Sequence, residues 1–248
     1  MRHGFSLVEL SIVLVILGLL TGGILTGQSL IRAAEIRSVT TEFQRYQTAM
    51  MSFRDKYFAL PGDMRNAQSF WGIAASCPGT YTTPSSDATT CNGTGDGLIS
   101  WNETWRAWQH LAAAGLVEGT YTGVPGTSDN TYGLAGTNMP KSKLSGNVGW
   151  VLNGKGNVSG SVWAFDGNYG NVWLLGWAGG VDTGVDLKAE EVWNIDTKVD
   201  DGKPGLGMVR VHKNSSRPNC ASTDNAATAV YLVQNTGGGC NLLVISGY

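Results

Sequence analysis

Charge is scarce in this sequence. Only 15% of the 248 residues are charged, against about 25% in an average globular chain. Lys and Arg number 17 against 19 Asp and Glu, a net charge of −2, which argues against a dedicated nucleic-acid binder. The chain is not a charge-rich disordered one either, because 42% of it is hydrophobic and 9% aromatic. Enzyme signatures are missing: there is no G-x-S-x-G elbow, no P-loop and no H-E-x-x-H pair. His110 stands alone and carries no catalytic assignment. No C-x2-C pair suggests a zinc site. Tryptophan is absent before residue 70, and only five of the 35 glycines precede residue 60. Residues 1–60 hold six Lys and Arg against four Asp and Glu, so a +2 stalk precedes a −4 remainder.

What is present divides the same way. Phe5 to Leu25 is a largely apolar run of 21 residues with one charge, Glu9. As a helix it spans about 30 Å, the thickness of a bilayer core. It is long for a secretory signal and lacks an A-x-A-like cleavage site. An acid inside such a run is costly in lipid and points to function; snorkelling to the interface is the plainer alternative. No proline interrupts the run, but Gly18, Gly22, Gly23 and Gly27 do. Local melting and close helix packing are both open for them. Ile36, Val39, Phe43, Tyr46, Met50, Phe53 and Tyr57 follow at alternating spacings of three and four. That heptad-like stripe suits a coiled coil, but being short and aromatic it predicts instead a continuing helix packed on the chain's own head, with Leu60-Pro61-Gly62 as its stop.

The segment Gly4-Phe5-Ser6-Leu7-Val8-Glu9-Leu10, after a short basic leader and before an apolar helix, resembles the signal of type IV pilins and type II secretion pseudopilins. Segments such as LPGD and DDGKP add a weaker resemblance to prepilin-like proteins. The resemblance implies cleavage after Gly4 by a prepilin peptidase and methylation of the new terminal residue, Phe5. It implies pairing of Glu9 with a neighbour's terminal amine during assembly. It also implies a pilin-like α+β fold, with a long N-terminal helix against a β-rich antiparallel head. The expected divisions are a leader at 1–4, a membrane or filament-core half at 5–27, an amphipathic half at 28–60 and an exported head at 61–248. Expected partners are other pilin subunits, the prepilin peptidase and an inner-membrane assembly platform. Expected locations are the bacterial inner membrane with a periplasmic head, then a pilus or pseudopilus filament. An adhesive or ligand-binding head is the alternative role.

In the head, Ser100 and Glu103 fit a capping box for a helix closing at Gly115. Trp101, Trp105, Trp108 and Leu111 share one face of it, as a buried stripe or, less commonly, a sugar platform. Hairpin turns are expected at Asn153-Gly154 and Asp166-Gly167, and Asp186 is the expected cap of a helix over DLKAEEVWNID. Strands are expected at GMVRVH, TAVYLV and LLVI. Four cysteines in an exported head predict disulfides; of three connectivities, the sequence-local Cys77–Cys91 and Cys220–Cys240 is expected. Asp96, and the set Asp196, Asp200 and Asp201, are weak calcium candidates; otherwise no cofactor is expected.

Overall fold

The computed structural model describes residues 6–72, 90–126, 133–177, 185 and 187–247. One helix dominates it. Helix α1 runs unbroken from Leu7 to Tyr57, about 76 Å at the helical rise. Its outer half touches nothing: the most apolar 18-residue window has a mean hydropathy of 2.4 and none of it is buried. Its inner half is the predicted stripe. Val39, Phe43, Tyr46, Met50 and Phe53 are buried together with Ala49, while Ile36 and Tyr57 are half-buried at the ends. The stop comes earlier than the Leu60-Pro61-Gly62 signal. Phe58 takes a left-handed conformation (φ 55°) and caps the helix through its N–H to the Arg54 carbonyl at 2.8 Å.

The head is an antiparallel sheet laid on this helix. It holds four strands, β1 (Val148–Val158), β2 (Gly167–Trp177), β3 (Val209–Arg210) and β4 (Leu242–Ile245). Their order is β1-β2-β4-β3. Three shorter helices complete the head: α2 (Ala67–Trp71) meets the end of α1 through Trp71, α3 (Trp101–Ala113) packs on β1, and α4 (Ala189–Val199) packs on α1 and β3. This is the expected α+β layout. Tyr46 joins the layers, with its ring 4.9 Å from Trp108 and 6.2 Å from both Trp150 and Trp173.

Several local expectations are corrected. Asn153-Gly154 does not turn the chain. It continues β1 with a register irregularity between Gly154 and Gly156. The reason lies at the start of α3: Asn153 Nδ2 donates to Thr104 Oγ1 at 2.9 Å, and Gly154 N donates to the Ile99 carbonyl at 2.6 Å. A Cβ on Gly154 would sit 2.9 Å from Ile99 N, so only glycine permits this approach. The β1–β2 connection is instead the 159–166 loop, closed where Gly160 N donates to Asp166 Oδ1 at 2.9 Å. TAVYLV forms only an isolated bridge, Ala221 to Tyr231, and GMVRVH contributes the two residues of β3 and an isolated bridge from His212 to Ala164. Lys188, not Asp186, occupies the N-cap of α4, where Glu191 accepts its N–H at 2.9 Å; Asp186 lies outside the described residues.

Candidate functional site

Helix α1 starts with a reciprocal cap. Val8 N donates to Ser6 Oγ at 3.3 Å, and Ser6 N donates to Glu9 Oε2 at 2.8 Å. Glu9 is exposed, and it sits in the first turn, where the helix dipole favours an anion. The acid therefore has a donor within its own chain in this state. Gly4 and Phe5, the expected cleavage and methylation positions, lie outside the described residues. Gly18, Gly22, Gly23 and Gly27 are helical, and beyond the neighbouring helix backbone a Cβ on any of them would meet no described atom within 4 Å.

Residues 1–25 match the family described as the prokaryotic N-terminal methylation motif. They are a prepilin-type cleavage and methylation signal. Comparison with curated proteins and with solved structures finds no significant match to the chain. The signal, followed at once by an exposed apolar helix, fits a membrane-anchored precursor that is later assembled with other such subunits. The motif indicates a structural subunit.

The other half of the helix carries polar locks that the apolar stripe does not advertise. Glu42 accepts from Trp150 Nε1 and Ser142 Oγ at 2.7 Å each, and from Lys143 N at 2.8 Å. Gln47 accepts from Trp173 Nε1 at 2.6 Å and donates to the Ser246 carbonyl at 2.8 Å. Arg32 meets Glu191 of α4 through two bonds, of 2.5 and 2.8 Å. The bond to Glu191 pushes the Arg32 pKa up. Burial alone would raise the Glu191 carboxyl, but the bonds and charges of Arg32 and Lys188 together outweigh it and hold the carboxyl below its usual range.

The top of the helix is tied down by three further groups. His110 Nδ1 accepts from Gly62 N, and Nε2 faces the Cys91 carbonyl, both at 2.9 Å, so the ring is neutral with its proton on Nε2. Burial lowers its pKa to about 4. Asp63 is a second anchor. Thr94 Oγ1, Gly95 N and Asp96 N donate to one of its oxygens and Gly97 N donates to the other, at 2.5 to 3.1 Å. Glu103 is the third, taking Thr94 N at 2.5 Å and Ser100 N at 2.8 Å. Gly62, at φ +90°, brings this turn against α3, where a Cβ would lie 2.5 Å from the Glu103 carbonyl.

These bonds bear on the calcium candidates. Asp96 joins Asp63 and Glu103 in one cluster, and Asp196, Asp200 and Asp201 form another. N–H and O–H donors already converge on their oxygens. Asp196 takes Gly202 N at 3.2 Å and the Tyr231 hydroxyl at 2.8 Å; Asp200 takes Met208 N and Val209 N; Asp201 takes Lys203 N at 2.8 Å. Burial raises the Asp196 carboxyl to about 7. A cation shell needs six to eight free oxygens facing inward. Both clusters bring carboxylate oxygens within 4.8 Å of one another, and each carboxylate also accepts donors from its own loop.

Cys220 and Cys240 form the expected disulfide. Cys91 is also disulfide-bonded, and its expected partner Cys77 lies outside the described residues. The sugar platform is removed: Trp105 and Trp108 are fully buried and Trp101 is half-buried.

Proposed function

We propose that the chain is a structural subunit of a type IV pilus-like or pseudopilus filament. In this reading a prepilin peptidase cuts between Gly4 and Phe5, Phe5 is N-methylated, and the subunit waits in the inner membrane with its head outside the cytoplasm. The apolar half of α1 then leaves lipid for the filament core. The observation that carries the reading is the methylation motif running directly into an unpartnered apolar helix. A helix hydrophobic all round and unburied in its own chain needs either lipid or copies of itself.

Glu9 sets register in this scheme. While the leader is attached, the Ser6 N–H satisfies its carboxylate. Cleavage creates a cationic α-amino group one residue before Ser6, and the carboxylate of one subunit then pairs with the amine of another. Each charge offsets the burial cost of the other. Neither a metal nor catalysis enters the reading. Mass analysis of the N-terminal peptide tests the processing step. Cells with a prepilin peptidase should yield a chain beginning with methylated Phe5, and cells without it should retain Met1. An intact Met1 terminus in assembled material would overturn the reading.

A further inference from the structure

One groove in the head carries uncompensated charge. It lies between the 141–143 segment and α1, has a volume of about 360 Å³, and is lined by Arg37, Arg45, Lys141 and Lys143 with Glu42 and Tyr46. All four cations are exposed. Among the described residues no carboxylate forms an ion pair with them; the two ion pairs present both belong to Arg32. Glu42, the one acid in the lining, is committed to Trp150, Ser142 and Lys143 N. The groove therefore presents a cationic surface on a head whose overall charge is negative.

Lipid phosphate is out of reach. Counting from Leu25, Arg37 lies about 18 Å and Arg45 about 30 Å along the helix, whereas head groups add only about 5–8 Å beyond the hydrocarbon. A protein surface remains, and this chain has one of matching chemistry. The groove is at the β1 edge of the sheet, where Lys141 bridges to Gly149. Helix α4 packs against α1 and β3, at the opposite edge. Its outward side exposes Glu190 and, three residues on, Trp193, which is 40% exposed. No hydrogen bond or ion pair among the described residues engages the Glu190 carboxylate.

The geometry points to a second copy of this chain as the occupant: Glu190 and Trp193 on α4 of one subunit seat in the Arg37, Arg45, Lys141 and Lys143 groove of the next. Glu190 neutralises part of the excess charge, and the Trp193 ring takes a cation on its face while losing exposed apolar area. The two patches differ and lie on opposite edges, so the contact is head-to-tail and propagates instead of closing. It rests on the filament reading and names a contact within it. It also constrains the stagger. The Arg32–Glu191 bridge puts the start of α4 level with Arg32, and the groove cations on α1 lie about 8 to 20 Å further along. Neighbouring subunits are thus offset along α1 by that distance.

A charge swap tests this in cells that assemble the full chain. Lys141→Glu and Glu190→Lys should each cut sheared filament yield about tenfold, and the double variant should restore it to within about twofold of wild type. Formation of the Cys220–Cys240 bridge checks that each variant folds. Cysteines placed together at Lys141 and Glu190 should give a disulfide ladder between subunits in sheared filaments, and neither alone should. Unaffected single variants, or a double variant no better than either single with no ladder, would overturn the contact while leaving wild-type filaments standing. Absence of filaments from wild type would remove the filament reading itself. If Lys141→Glu spares filaments but abolishes retention on heparin, the groove serves a polyanion and the contact is refuted.

Discussion

His110 shows what a single residue does here. It looked isolated in the sequence because its partners, Gly62 and Cys91, are 48 and 19 residues away. Its neutral ring makes stability depend on pH. A histidine whose folded pKa lies below the unfolded value of about 6.5 stabilises fully above that value and loses the contribution as pH falls through about 4. Asp196 acts with the opposite sign: its raised folded pKa stabilises below the unfolded value of about 3.9, and the contribution is lost as pH rises through about 7. The two therefore oppose each other in mild acid, and single variants separate them. The His110→Gln variant should lose less stability than wild type between pH 7 and pH 4.5, by up to about 3 kcal/mol, in denaturant titrations. The Glu42→Ala variant should cost about 2–4 kcal/mol by leaving the Trp150 indole and Lys143 amide without an acceptor.

At the level of elements, α1 was the most legible part and the loops the least. The 3,4 spacing of Val39, Phe43, Tyr46, Met50 and Phe53 shows in the sequence because it is local, and all five are buried. Glu42 and Gln47 carried no such signal, because the indoles they hold belong to Trp150 and Trp173, more than 100 residues away. The Gly93–Gly97 run wraps the Asp63 carboxylate and brings Asp96 beside Asp63 and Glu103, a grouping that no local pattern shows. Asn153-Gly154 carried a strong turn signal, overridden by the docking of β1 on α3. Replacing Phe53 by Ala should cost about 3–5 kcal/mol and loosen the helix from the head, while Leu17→Ala, on the bare half, should leave head stability unchanged. Removing the Cys220–Cys240 bridge should cost about 3 kcal/mol for a loop of that length. Denaturant midpoints check all three.

For the whole molecule, scarce charge reflects two objects on one helix. The bare half of α1 has almost none, and the other half spends Glu42, Gln47 and Arg32 on holding the head. The head in turn leaves its outward charge unevenly placed, with cations at one edge and α4 at the other. This polarity suits a repeating contact, and it places the interlocking of subunits on the stalk and its flanks. Glu9 bears most directly on that account, because in the precursor it is satisfied by Ser6 and in the proposed filament by another chain. The decisive measurement is filament yield from cells carrying Glu9→Ala, with leader cleavage followed in the same cells. The account predicts a cleaved, membrane-held subunit and little or no filament. Normal filaments from that variant would contradict it.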